Sequence, residues 1–115
     1  SRRNWLYPLE YNPAAKTAYK KGDWNLCRIE CIGPVIRVWV NGISTSKLVD
    51  DMTLKEFIAL QVHSVGKPED SGKTIRWRNI RIQTKDLKPS APDNIFVVNL
   101  LPNVLSEQEK KNGVV

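Results

Sequence analysis

Between Gly22 and Gln83 apolar residues recur with the period of two that marks half-buried β-strands. Cys27, Ile29 and Cys31 share one face of an extended run, and Arg28 and Glu30 share the other. This spacing predicts a strand whose Cys-Ile-Cys face is covered, with both cysteines as small core residues. Gly33-Pro34 breaks the run as a turn does. Val35 to Val40 is rich in β-branched residues, with Ile36, Val38 and Val40 on one face and Val35, Arg37 and Trp39 on the other. Asn41-Gly42 follows at once and predicts a type I′ hairpin turn that sends Ile43 antiparallel to Val40.

Phe57 to Val62 and Thr74 to Gln83 predict two further strands, joined by a loop from Ser64 to Lys73 that holds Gly66, Pro68, Ser71 and Gly72. In the last strand Ile75 and Trp77 occupy odd positions, but Ile80 and Ile82 occupy even ones. One extra residue at Arg78-Asn79, a β-bulge, brings all four to one face. Upstream, Trp5 to Leu9 reads as a short strand before a loop. Downstream, Pro89-Ser90-Ala91-Pro92 has linker composition, Ile95 to Leu101 is apolar, and Leu105 to Glu109 offers a serine cap and acidic residues suited to a helix start. The class expected is all-β, an antiparallel β-sandwich.

Charge changes this picture little. The formal charge is +6, from 18 basic and 12 acidic residues. The basic residues are spread along strand faces rather than clustered, so no nucleic-acid partner is expected. No apolar run approaches the roughly 18 residues of a membrane span. Cys27 and Cys31, four residues apart on a strand, stand about 13 Å from each other. A disulfide requires Cα atoms within roughly 7 Å, so none is expected between them. With His63 as the single histidine, neither a metal nor a cofactor is expected. Asp50 and Asp51 are adjacent and diverge on an extended backbone, so an ordinary two-carboxylate glycosidase is not indicated. Gln61 and His63, two apart, share a strand face and would meet a ligand together.

Four pieces stand in order: Gly22-Asp23-Trp24-Asn25, Trp39-Val40-Asn41-Gly42, Ile58-Ala59-Leu60-Gln61-Val62-His63, and Trp77-Arg78-Asn79-Ile80-Arg81-Ile82. Together they resemble the C-terminal half of the 3-keto-disaccharide hydrolase family, over about residues 5 to 84. Val62 stands where that family usually has a short acidic or polar residue. The resemblance implies a concanavalin-like jelly roll incomplete at its N-terminus, spanning residues 1–84, then a linker over 85–104 and the start of a second, similar domain over 105–115. Half of a sandwich leaves open strand edges and is expected to fold poorly alone.

The resemblance also implies a carbohydrate-active enzyme, placed outside the cytoplasm, that acts on 3-keto glycosides. His63 is then the general base, with Arg78 and Gln61 stabilising the developing oxyanion. Trp39, Tyr7 and Trp5 are the aromatic candidates for stacking on a sugar, and Asn79 joins them as a polar contact. The alternative is a non-catalytic carbohydrate-binding or adhesion sandwich. The two differ in whether His63, Gln61 and Arg78 converge in one pocket.

Overall fold

A computed structural model describes residues 7–51, 55, 57–101, 107 and 111. The chain divides into two compact units, one made of Ser1–Leu54 and Lys88–Val115, the other of Lys55–Leu87. Regular structure is mainly strand, with little helix, as an all-β class requires.

In the first unit, β1 (Cys27–Ile32), β2 (Val35–Val40), β3 (Ile43–Val49) and β4 (Val97–Asn99) form one sheet in the order β1-β2-β3-β4. The three hairpin strands are antiparallel, and β4 lies parallel to β3. The sheet is therefore mixed rather than wholly antiparallel. Both expected turns form. Gly33-Pro34 joins Ile32 to its partner Val35, and Asn41 and Gly42 adopt φ of 50° and 80°, the two positive values of a type I′ turn, opposite Val40 and Ile43. Asn41 also ties this turn to the chain before β1. Its amide donates to the Ala18 carbonyl (2.7 Å) and Asn25 Oδ1 (2.8 Å), and its Oδ1 accepts from the Leu26 N–H (2.9 Å).

A short helix, α1 (Pro13–Lys16), precedes the sheet. Asn12 Oδ1 caps it by accepting from the Ala15 N–H at 3.2 Å, and Pro13 sits at the first position, where its missing donor costs nothing. Asn12 Nδ2 reaches the Ser44 carbonyl (3.2 Å), fastening the helix to β3. Tyr7 to Tyr11 holds no strand; Leu9–Tyr11 forms a 3-10 turn instead, because Pro8 lacks the N–H a ladder needs. Trp5 lies outside the described residues.

The covered face of the hairpin sheet is the reverse of the one expected. Cys27 and Cys31 are exposed free thiols and Ile29 is 66% exposed, whereas Arg37 is 4% exposed. The strand period and the division of residues between faces are as expected, so the difference lies in what covers the sheet. Residues 88–93 cross the Arg28-Glu30-Arg37 face and supply it with hydrogen-bond partners. The apolar core sits farther along, where Val98 and Leu100 are buried against Tyr7, Leu48 and Phe96. It lies partly within the stretch expected to be a linker, whose apolar run Ile95 to Leu101 includes β4.

The second unit holds no strand among its described residues, so the strands expected over Phe57 to Val62 and Thr74 to Gln83 are not formed. Phe57 is 83% exposed, Ile58 78% and Ile82 63%. Its regular structure is local: a 3-10 turn at Pro68–Asp70, with the Asp70 N–H donating to the Lys67 carbonyl and the Ser71 N–H to the Pro68 carbonyl. The reason is physical, since an extended segment becomes a strand only when a neighbour satisfies its backbone. Asn79, at the position expected for a bulge, has φ of 54°, a left-handed value that interrupts an extended run.

Candidate functional site

Gln61, His63, Arg78 and Asn79 all belong to the unit Lys55–Leu87, and all four are exposed. Tyr7 and Trp39 belong to the other unit. Two features organise the residues around that second pair.

The first is a polar clasp. Arg37, in the centre of β2, donates from Nη1 to the Ser90 carbonyl (2.9 Å) and from Nη2 to the Ala91 carbonyl (2.9 Å) and Asp93 Oδ2 (2.7 Å). Glu30, opposite Arg37 in the ladder, accepts from the Ser90 N–H (3.0 Å) and the Ser90 hydroxyl. Arg28 donates to Ser90 Oγ at 2.9 Å. Two guanidinium groups lie over the Trp39 ring, Arg37 at 4.6 Å and Arg28 at 5.0 Å from its centre. A sugar stacking on Trp39 must therefore share the ring with an arginine or displace one.

The clasp sets the ionisation of its acids. The hydrogen bond from the Ser90 hydroxyl is the largest influence on Glu30; burial opposes it, and the Ser90 N–H and the charges of Arg37 and Arg28 help to hold the carboxyl below its ordinary value. For Asp93 burial is the largest influence and favours the neutral form, but the nearby Ser44 hydroxyl and the Arg37 guanidinium outweigh it and lower the pKa. Ser44 Oγ and Asp93 Oδ1 are nonetheless buried without a hydrogen bond of normal geometry, so Arg37 is the partner that anchors Asp93. Both acids are thus held ionised against fixed donors. They are poorly suited to exchange protons with a substrate and well suited to fasten residues 88–93 to the sheet.

The second feature is an open recess of about 450 Å³ lined by Tyr7, Tyr11, Asn12, Pro13, Thr45, Asn94, Ile95 and Phe96. Tyr7 stacks on Phe96 with ring centres 5.3 Å apart and lies 5.9 Å from Tyr11. Burial pushes the Tyr7 phenol up, and Tyr11 adds to the rise. Tyr11 is 52% exposed, so an aromatic surface beside amide and hydroxyl groups opens to solvent. Among the described residues, no group of three or more His, Cys, Asp or Glu side chains is placed to hold a metal ion.

A family model described as a 3-keto-alpha-glucoside-1,2-lyase-like domain matches residues 4–83. The chain belongs to this family. It is the 3-keto-disaccharide hydrolase family that the four motifs resemble, and its name marks a carbohydrate-active domain connected with 3-keto glycosides. A search among curated proteins gives no match to the chain. The family match takes in Trp5, Tyr7, Trp39, Gln61, His63, Arg78 and Asn79, and it ends before Ser90, Asp93 and Phe96.

Two groups of residues escape a reading by strand pattern. Arg37 carries a usable signal, a lone charge at the centre of the apolar run Val35 to Val40, but the groups that accept its hydrogen bonds stand more than fifty positions away. Tyr11 and Phe96 carry none, because their meeting beside Tyr7 depends on where β4 docks. No helix among the described residues is long and apolar enough to cross a membrane.

Proposed function

We propose that this domain acts on 3-keto glycosides, expelling the group at C1 after a proton is removed from C2. The observation that carries the proposal is the family match across residues 4–83, which includes the three residues assigned to chemistry. A ketone at C3 acidifies the C2 proton, so the reaction needs a base and a stabiliser of the enolate oxygen. His63 serves as the base, and Arg78 with Gln61 holds the developing negative charge. Expulsion of the C1 group leaves an enone, and addition of water completes a net hydrolysis. The proposed location is outside the cytoplasm.

A second reading, a non-catalytic carbohydrate-binding domain, is favoured by the recess beside Tyr7 and Tyr11. Turnover of a 3-keto glycoside by the chain and its His63→Ala variant separates the two. The catalytic reading expects turnover that falls by 100-fold or more, roughly the contribution of a general base. Turnover unchanged by the substitution rules out the His63 assignment, and saccharide binding without any turnover supports the second reading.

A further inference from the structure

We propose that β1 is a self-complementary edge that pairs antiparallel with β1 of a second copy of this chain, centred on Ile29. β1 is the outer strand of the sheet. The Asn41 N–H bonds to the Leu26 carbonyl (2.8 Å), and Ile32 and Val35 flank a two-residue turn. The alternation of an antiparallel ladder then directs the backbone groups of Arg28, Glu30 and Ile32 towards β2 and those of Cys27, Ile29 and Cys31 towards the open edge. A second strand can hydrogen-bond only to those three residues.

The sequence Cys27-Arg28-Ile29-Glu30-Cys31 selects one register. Centred on Ile29, the pairing sets each Arg28 opposite Glu30 of the other copy, Ile29 opposite Ile29, and Cys27 opposite Cys31. Sliding by two residues in one direction sets Arg28 against Arg28, and in the other Glu30 against Glu30, both of which repel. The Arg28 side chain is 63% exposed and Ile29 is 66% exposed, whereas the Glu30 side chain is 11% exposed and already held by Ser90, so it offers the facing Arg28 a fixed negative charge rather than a new hydrogen bond. Across a hydrogen-bonded antiparallel pair the Cα atoms lie about 5.5 Å apart, inside the roughly 4.4–6.8 Å range of disulfides, and an inward shift of the two edge strands by about 1 Å brings the Cβ atoms to the roughly 3.5–4.5 Å that a bridge requires. The two cysteines of one copy, about 13 Å apart, cannot reach each other. Each thiol thus meets the non-equivalent thiol of the second copy.

Cross-linking of the whole chain by an added disulfide oxidant tests this. Each bridge forms from two thiols, which lose two protons and two electrons, and the oxidant is reduced to its own thiols. Trypsin cuts after Arg28, so the covalent dimer is expected to yield peptide 22–28 joined to peptide 29–37. The variants Cys27→Ser and Cys31→Ser are each expected to stay uncross-linked alone, and their mixture to recover the covalent dimer. Because both thiols are exposed, the serine variants keep the fold. Single variants that cross-link as readily as the mixture, or a native chain that gives no covalent dimer, overturn the proposal.

Discussion

Arg37 shows how one side chain decides the orientation of a sheet. Placed mid-strand, it is 4% exposed, and its buried charge is offset by two carbonyls and Asp93, which accept hydrogen bonds from Nη1 and Nη2. Arg37→Met is expected to lower unfolding free energy by about 3 kcal/mol, since it leaves Asp93 and two carbonyls without their donor; urea unfolding measures this. The same clasp predicts a pH dependence. Glu30 and Asp93 have lowered pKa values in the folded state, so the unfolded chain binds more protons in acid. Their contribution is present above the ordinary carboxylate value of about 4 and is lost as pH falls further, through the folded values. Glu30→Gln is expected to flatten the acid limb of a plot of stability against pH. A limb as steep as that of the native chain would assign the slope to other carboxylates. The lone arginine in an apolar run is visible in the sequence, but nothing local reveals that Ser90 to Asp93 return to it.

Among the elements, the Asn41-Gly42 hairpin was the most legible. Its type follows from two residues that tolerate positive φ, and the observed angles and strand partners agree. Gly42→Ala is expected to cost about 1–2 kcal/mol, because an alanine at φ of 80° is strained although no atom lies near enough to clash. Thermal unfolding measures it. Less legible were the burial of β1 and the state of the later apolar runs. Alternation tells which residues share a face and is silent about which face meets a second layer. In β1 the apolar face is open and the charged face is covered, because the covering chain brings hydrogen-bond partners rather than apolar side chains.

At the scale of the molecule, the two units differ in how their backbones are satisfied. β2 is flanked on both sides by strands, whereas runs 57–62 and 74–83 belong to no ladder. Hydrogen exchange is expected to protect amides of β2 strongly and those of both runs weakly, a contrast read residue by residue by mass spectrometry or NMR. Equal protection of the three segments would show that the later runs have found strand partners. The candidate catalytic residues lie in this less-supported unit, so their geometry depends on those partners in a way the clasp residues do not.

What the sequence by itself determined is local or collinear. Period-two alternation set β1 and β2, Gly33-Pro34 and Asn41-Gly42 set the turns, and four ordered motifs marked a family that matches residues 4–83. Each depends on residues near one another in the chain, whose backbone preferences and spacing can be read directly. The tertiary structure alone decided that Arg37 is buried, that Cys27 and Cys31 face solvent, that Tyr7 meets Phe96, and that β4 runs parallel to β3. These depend on contacts tens of residues apart, where the free energy comes from satisfying buried charge and covering apolar surface. Such contacts leave no period in the sequence.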